Sequence, residues 1–440
     1  MPLIDLLLTN IGHQVYKWSF MTKKYKCNVI SETRSMVKDK VVLAYSGGLD
    51  TSVCIRYLQT VYDLDVITVT VDCGQNEDFR EIERKARAIG SIKHFYINAK
   101  DEFARDYIIP CIKSNGLYEG KYPLATALAR PLIAAKCVEV ANKEDVMHIA
   151  HGCTGKGNDQ IRFDVTIRGL NQTLKIIAPI RDMNLTRSIE INFAQEQHIP
   201  VNVDAKKYSI DLNIWGRAIE GGDIEDAYFE PPDSIFQFVR FDNNNPGYLE
   251  LEFENGIPIA ADGKKMKIAD LIQYVNMKAG SYGIGIIDHI EDRVIGIKSR
   301  EVYESPAGLV IIELHKDLEK MVLTKHQLRF KQIVEEQWSW LVYSGLWLDP
   351  LRTDLDRFIE STQKRVTGRV KLKMHKGSIR IVARQSDYSL YKSDLATYYD
   401  NSTFNQDLAK GFADLWGLQS ITANALSTTT RSNSFSKRGK

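Results

Sequence analysis

The sequence predicts an α/β protein: a doubly wound, mostly parallel sheet, followed by an α+β domain and a C-terminal helix. Three observations predict it. Strands alternate with helices through the first two hundred residues, paired strand-like runs take over from about residue 205, and an amphipathic helical stripe follows the last of them.

The first confident strand is Val41-Val42-Leu43-Ala44-Tyr45, and a helix from about Thr51 places Cys54, Tyr57, Leu58 and Val61 on its apolar positions. With the apolar run at 66 to 71 this makes one βαβ unit. The alternation continues through a helix at 77 to 89 stopped by Gly90, a strand at 92 to 97, helices across 101 to 142, and strands at 146 to 150 and 174 to 178. Such spacing predicts a parallel sheet covered on both faces. Beyond it, strand-like runs stand at 235 to 241, 249 to 254 and 294 to 297. Asn255-Gly256 signals a hairpin. Residues 370 to 374 and 379 to 382, joined by His375-Lys376-Gly377-Ser378, predict another hairpin, and 318 to 346 reads as mainly helical. Phe404, Leu408, Phe412 and Leu415 form the final stripe, which suits packing on a second copy or, on the plainer reading, on its own chain. The expected divisions are a leader at 1 to 37, domains at 38 to 203 and 204 to 400, an oligomerisation helix at 401 to 420 and a disordered tail at 421 to 440.

A chain of 440 residues, 44% hydrophobic and 26% charged, can bury sizeable cores. Its 58 basic and 56 acidic residues leave a net charge of +2, and no long single-sign block marks a nucleic-acid surface. Six scattered cysteines (Cys27, Cys54, Cys73, Cys111, Cys137, Cys153) form no C-x-x-C pair and no zinc spacing, which reads as reduced thiols and a cytoplasmic setting. The apolar run at 2 to 8 is broken by Asp5 and too short to span a membrane. Asp5, Glu32 and the scarcity of Arg argue against a transit peptide. Met36 stands where a start is expected, so the leader is expected to be dispensable.

Directly after the first strand comes Ser46-Gly47-Gly48-Leu49-Asp50-Thr51-Ser52. Two glycines let the backbone turn tightly against an anion, the hydroxyls of Ser46, Thr51 and Ser52 can donate, and a helix N-terminus adds partial positive charge. This is a phosphate cradle, and it is not a Walker A loop, because the G-x-x-x-x-G-K-[ST] spacing and its lysine are absent. The plainer reading is a Gly-rich turn in which Asp50 and Thr51 cap the helix. A second constellation follows the strand at 146 to 150: His151-Gly152-Cys153-Thr154-Gly155-Lys156-Gly157-Asn158-Asp159-Gln160-Ile161-Arg162. Three glycines interleaved with hydroxyl, ammonium, amide, carboxylate and guanidinium groups suit a loop that binds small polar ligands. At the carboxyl end of a strand in a doubly wound sheet, that is where ligands sit.

The S-G-G-x-D-[ST] pattern resembles the pyrophosphate loop of enzymes that cleave ATP between its α and β phosphates. Paired with H-G-C-T-G-K-G-N-D-Q-I-R, it resembles the argininosuccinate synthase family. Further matches are Gly74 to Phe79 (G-Q-N-E-D-F), Tyr122 to Pro131 (Y-P-L-A-T-A-L-A-R-P), Tyr208 to Gly216 (Y-S-I-D-L-N-I-W-G) and Lys298 to Gly308 (K-S-R-E-V-Y-E-S-P-A-G). The resemblance covers about residues 38 to 418. It implies that the first domain binds nucleotide, that the second is the synthetase domain, and that the chain forms a homotetramer.

The resemblance further implies that citrulline and aspartate are joined with ATP, giving argininosuccinate, AMP and pyrophosphate in arginine biosynthesis. ATP would lie on Ala44, Tyr45, Ser46, Gly47, Gly48, Leu49, Asp50, Thr51 and Ser52, with Val71 and Gly152 toward the adenine. Asp50 would lie beside the pyrophosphate, where its carboxylate can hold Mg²⁺. Aspartate would be held by Thr154, Asn158 and Asp159, and citrulline by Tyr122, Thr126, Asn158, Arg162, Ser209, Glu291 and Tyr303. Asp50, Lys156 and Asp159 are the residues closest to the chemistry, Lys156 spreading phosphoryl charge and Asp159 pairing with the amine of aspartate or taking its proton. Three positions depart from the family pattern. Ala218 replaces a serine that many members carry, Glu301 a glycine, and Ala127 stands where some relatives have a hydroxyl, leaving Thr126 as the donor. Two rival readings are a pyrophosphate-loop enzyme acting on tRNA or as an amidotransferase, and a binding module that has lost its chemistry. Against the first stand the absence of a basic surface and of a catalytic cysteine pair. Against the second stand Asp50 and Arg162.

Overall fold

The computed structural model describes residues 38–200 and 208–436, so the expected leader and the last four residues of the expected tail lie outside the described residues.

Strands β1 (Lys40–Ala44), β2 (Asp65–Asp72), β3 (Lys93–Asn98), β4 (His148–Ala150) and β5 (Lys175–Ile177) form an all-parallel sheet in the order β3-β2-β1-β4-β5. Alternation along β1 explains why it sits at the centre. Val41 and Leu43 enter a cluster with Val53, Ile55, Leu58 and Ile82 on one face. Val42 and Ala44 enter another with Ile67, Val69, Leu128 and Leu132 on the other. A strand apolar on both faces needs helices on both, and the helices Leu49–Thr60, Phe79–Ile89, Ala125–Lys143 and Asp159–Leu170 supply them. The helix Phe79–Ile89 runs between its expected signals: Asp78 caps it by accepting from the amides of Arg80 and Glu81 at 3.0 and 3.1 Å, and Gly90 ends it at φ 121°. The strand order reverses between β1 and β4. The crevice beyond their carboxyl ends is therefore the place for a ligand, and both glycine-rich loops emerge there.

Two antiparallel sheets follow. β6 (Ser209–Asn213), β7 (Gly216–Glu220), β11 (Ile286–Asp292) and β12 (Lys298–Glu304) are ordered β11-β12-β7-β6, while β8 (Gly247–Glu254), β9 (Ile257–Ala261), β10 (Lys264–Lys265), β13 (Gly368–His375) and β14 (Ser378–Gln385) are ordered β10-β9-β8-β13-β14. Both expected hairpins are present. Asn255 and Gly256 have φ of 50° and 78°, and Lys376 and Gly377 have φ of 45° and 75°, the paired positive angles of a tight primed turn.

Two expectations need correction. Residues 235 to 241 do not form a strand: the amides of Gln237, Phe238 and Val239 donate instead to the buried carboxylate of Glu304, which also receives Arg217 Nη1 at 2.6 Å. Residues 294 to 297 are the turn between β11 and β12, closed by Arg293 N to Ile297 O at 2.8 Å. The stretch 318 to 346 is mainly helical as expected, in the helices Pro306–Val322 and Lys325–Tyr343, which part at Leu323-Thr324, where Thr324 and Gln327 form a reciprocal capping box.

The expected boundary between residues 203 and 204 lies outside the described residues. One core holds Val42 and Val69 of the first sheet, Tyr303 of the second and Leu251 and Leu372 of the third, and the compact unit runs to Tyr388. The remainder is a separate unit. In it the helix Asp407–Trp416 carries exposed Leu408, Phe412, Leu415 and Trp416. The expected disordered tail is helical over Leu418–Ser436, where Thr422 and Ser427 hydroxyls bond back to the carbonyls four residues earlier. Among the described residues no helix is long and apolar enough to cross a membrane.

Candidate active site

The turn at 46 to 52 is built as its composition requires. Gly47 has φ 79°, and a Cβ there would lie 3.1 Å from Ile82 Cγ1, so glycine satisfies both backbone and packing. Ser46, Gly48 and Thr51 are joined by a loose net: Ser46 Oγ is 3.2 Å from Thr51 Oγ1, and the Gly48 amide reaches Ser46 Oγ at 3.4 Å. Tyr45 OH lies 3.2 Å from the buried Ser52 hydroxyl, fixing the turn to the sheet. Asp50, in the first helical turn, pairs with Arg187 Nη1 at 3.3 Å. Buried Glu190 stands beside it. Burial and the Asp50 carboxylate push the Glu190 carboxyl up to about 9, so it carries a proton toward Asp50, and its Oε2 has no protein partner. With Glu190 neutral, the Asp50 carboxylate is the charged oxygen donor here that suits a hard cation. No group of three or more His, Cys, Asp or Glu among the described residues could hold one alone, so the remaining ligands would be phosphate oxygens and water. Val71 is buried near the end of β2, its carbonyl taking Gln75 Nε2 at 2.8 Å.

The loop after β4 leans directly on this turn. A Cβ on Gly152 would sit 3.2 Å from Thr51 Cγ2 and 3.4 Å from the Thr51 amide, so only glycine allows the two loops to touch without displacement. The buried His151 ring anchors the loop base, with Nε2 2.9 Å from Asp164 Oδ1 and Nδ1 accepting the Cys153 amide at 3.3 Å. Thr154 and Lys156 are exposed at the tip. Asn158 is buried, donates to Tyr343 OH at 2.9 Å, and accepts the Val294 amide at 2.9 Å. Asp159 accepts Arg130 Nε at 2.8 Å on one oxygen and Arg162 Nη1 at 2.9 Å on the other, and Arg130 also holds Asp211. Burial opposes ionisation of Asp159, but the two guanidinium groups outweigh it and hold the carboxyl below its ordinary range. A carboxylate so held is a poor proton acceptor, which counts against that part of its expected role. Arg162 is buried, spending Nε and Nη2 on the Tyr343 carbonyl at 3.1 and 2.8 Å. Only its outer N–H edge is left for a substrate carboxylate.

The third wall is one face of the sheet β11-β12-β7-β6. Residues opposite one another in antiparallel pairs share a face. The pairs Ser209 with Glu220, Asp211 with Ala218, Ala218 with Tyr303, Glu301 with His289 and Glu291 with Ser299 therefore line up together. Ser209 is exposed there, and Ala218 leaves that position without a hydroxyl. Glu291 is 2% exposed and accepts Tyr303 OH at 2.8 Å on one oxygen and Tyr343 OH on the other, with His289 Nε2 3.3 Å away. Tyr122 stacks on Tyr303 with centroids 4.0 Å apart, and its hydroxyl accepts the Thr126 amide at 2.8 Å. Tyr118 stacks on Tyr343 at 3.4 Å. Burial pushes the Tyr303 and Tyr343 phenols upward, and the Glu291 carboxylate adds to it, so both remain donors. Ala127 is fully buried in the core, whereas Thr126 reaches Tyr122.

The structure thus brings Tyr122, Thr126, Asn158, Asp159, Arg162, Glu291 and Tyr303 into one connected set. It adds residues absent from the expected set: Tyr343, Tyr118, Arg130, Asp211 and His289 around the polar wall, and Arg187 and Glu190 behind Asp50. Arg130 is the penultimate residue of the Y-P-L-A-T-A-L-A-R-P motif, and Asp211 lies within the motif Tyr208 to Gly216, so a signal was present for those two. Cys54, Cys73, Cys111, Cys137 and Cys153 are free, and Cys27 lies outside the described residues.

The profile of the arginosuccinate synthase N-terminal HUP domain matches residues 40–200, and that of the arginosuccinate synthase C-terminal domain matches residues 208–423. An argininosuccinate synthase of Pyrococcus furiosus is 53% identical over 387 residues, 87% of this chain and 94% of its own length. One of Dictyoglomus thermophilum is 52% identical over 385 residues, 87% and 97% of the two chains. One of Methanocaldococcus jannaschii is 50% identical over 383 residues, 86% and 96%.

Proposed function

The chain belongs to the argininosuccinate synthase family, and from that membership we propose how its site divides the work. The protein ligates citrulline to aspartate with ATP, giving argininosuccinate, AMP and pyrophosphate, a step of arginine biosynthesis.

The ureido group of citrulline is too unreactive for direct attack by an amine, so it must first be activated. Its oxygen attacks the α-phosphorus of ATP and pyrophosphate leaves into the turn at 46 to 52. The amine of aspartate then attacks the ureido carbon, and AMP departs with the former ureido oxygen. The turn and the N-terminus of Leu49–Thr60 receive the pyrophosphate, Arg187 lying beside it. Val71 and Gly152 flank the adenine. Asp50, with phosphate oxygens, would hold Mg²⁺, which supplies neutralisation of the developing phosphoryl charge. Lys156, exposed at its loop tip, adds positive charge to the same group. Thr154, Asn158 and Asp159 take aspartate, and the Arg130 and Arg162 pairs hold Asp159 ionised for the ammonium. Citrulline lies along Tyr122, Thr126, Asn158, Ser209, Glu291 and Tyr303, its carboxylate on the outer edge of Arg162 and its ammonium toward Glu291. With Asp159 committed to two guanidinium groups, the proton of the attacking amine goes to a phosphate oxygen. Most of the rate then comes from alignment and electrostatics.

The observation that carries this reading is the contact of the two glycine-rich loops at the β1/β4 reversal, Gly152 against Thr51, with the polar wall beside it. The exposed apolar face of Asp407–Trp416 supports assembly with further copies, as a tetramer, and the free cysteines support a cytoplasmic setting. Pyrophosphate release from ATP and Mg²⁺, with citrulline and aspartate added singly and together, tests the whole. Release that requires citrulline, with argininosuccinate formed only when aspartate joins, supports it. Release indifferent to citrulline sinks it.

A further inference from the structure

The loop that carries Thr154, Lys156, Asn158 and Asp159 has little to hold its shape. Gly152, Gly155 and Gly157 bring no side chains, and Thr154, Gly155 and Lys156 are exposed. Two side chains grip carbonyls at its tip: Gln160 Nε2 reaches Gly155 O at 2.7 Å, and Arg293 Nη1 reaches Lys156 O at 3.2 Å. The first comes from the loop's own helix. The second comes from the turn between β11 and β12, far along the chain.

Arg293 is itself fixed on three sides. Its Nε donates to Ser299 Oγ at 2.9 Å, and its Nη2 to Glu220 Oε2 at 2.9 Å and Glu301 Oε1 at 2.8 Å. Ser299 Oγ in turn donates to Glu301 at 2.8 Å. Glu301 is almost buried, whereas Glu220 is about half exposed, so Glu301 is the firmer anchor. The next residue continues the grip, since the Val294 amide donates to Asn158 Oδ1 at 2.9 Å. The turn that presents both groups is closed by its own bonds, Arg293 N to Ile297 O and Gly296 N to Arg293 O, each 2.8 Å.

A planar guanidinium with five donors can face the sheet with one edge and the loop with the other; an ammonium at that place cannot do both. We propose that Arg293 is a positioning residue for the amino-acid substrates, its guanidinium anchored through Glu301 and holding the 153 to 158 loop against the β11-β12 turn. This rests on the reading that the loop receives aspartate and citrulline. It also gives Glu301 a task, as the carboxylate that orients Arg293. The turn at 46 to 52 takes no bond from Arg293, so ATP affinity depends on the tether less than the amino-acid constants do.

The test compares wild type with Arg293→Lys, Arg293→Gln, Glu301→Gln and the double variant Arg293→Gln/Glu301→Gln. It reads KM for aspartate and for citrulline, kcat, and the Kd of a non-hydrolysable ATP analogue measured by calorimetry. Arg293→Lys keeps a cation between the two carboxylates but loses the fork, so it reports on the loop even where Arg293→Gln fails to fold. Losing one charge-assisted hydrogen bond to the loop raises both KM values by roughly tenfold while the analogue's Kd changes much less. Glu301→Gln moves the same two constants in the same direction by less, and adds little on top of Arg293→Gln, because both act through one contact. Unchanged KM values in Arg293→Lys overturn the proposal, as does a parallel loss of analogue binding or full additivity in the double variant. A wild type without citrulline-dependent turnover instead removes the functional reading beneath it.

Discussion

Replacing Tyr343 by Phe isolates one hydroxyl that joins two of the substrate-side residues. That oxygen donates to Glu291 and accepts from Asn158 Nδ2 at 2.9 Å, while its ring stacks on Tyr118. Glu291 is 2% exposed and Asn158 9%, so water does not readily replace the lost partner on either. The ring remains in Tyr343→Phe, so packing is kept and the change is almost purely one of hydrogen bonding. A bond to a buried carboxylate is worth about 1.5–3 kcal/mol, and the neutral bond to Asn158 about 1 kcal/mol more. Half of that total appearing in substrate binding corresponds to roughly a tenfold rise in KM for citrulline, and all of it to several hundredfold. Glu291 keeps its bond from Tyr303 OH at 2.8 Å, which favours the lower figure. Steady-state kinetics with each substrate varied in turn, beside thermal denaturation, separate the effects. The expected result is a citrulline KM raised at least tenfold, an ATP KM little changed, and a folded protein. A variant with wild-type citrulline KM would show that Glu291 and Asn158 do not hold this substrate through Tyr343.

Asp159→Asn leaves Arg130 and Arg162 facing a neutral amide, and the KM for aspartate is expected to rise at least tenfold in the same assay. The folded pKa of Asp159 lies below its unfolded value. Its ion pairs therefore stabilise the fold above the ordinary carboxylate range, and the contribution is lost as pH falls through the lowered value; acid titration monitored by circular dichroism should show the Asn variant losing less stability below about pH 4 than wild type. Glu304→Ala strands buried Arg217 and three amides, and a loss of about 3–5 kcal/mol in chemical denaturation is expected, against a much smaller change for an exposed acid such as Glu254. Gly152→Ala places a methyl carbon 3.2 Å from Thr51 Cγ2, so the ATP KM should rise while the citrulline KM moves less. Equal changes in both would place the contact elsewhere.

Local features of the sequence were enough for the parallel sheet and the phosphate turn. The alternation of Val41 to Ala44 places apolar groups on both faces of one strand, and Gly47-Gly48 before a helix restricts what the backbone can do next. Asn255-Gly256 and Lys376-Gly377 likewise act over two residues. What stayed hidden depends on partners far away in the chain. Residues 235 to 241 have the composition of a strand, but Glu304 takes the Val239 amide from 65 positions downstream and leaves no ladder to form. Tyr343 looks like one more apolar position on an amphipathic helix, and only the fold brings it 2.9 Å from Asn158, 185 positions away. Glu190 and Arg187 sit on an unremarkable helix, 137 positions from Asp50 in the case of Arg187. The motifs carried the chemistry; the groups that hold those motifs in place were scattered.

Everything in the proposed chemistry follows from attack of the ureido oxygen of citrulline on the α-phosphorus of ATP. Turnover of citrulline carrying ¹⁸O in its ureido group, with AMP examined by mass spectrometry, tests it most directly. The label is expected in the phosphate of AMP. Unlabelled AMP formed alongside argininosuccinate would contradict it.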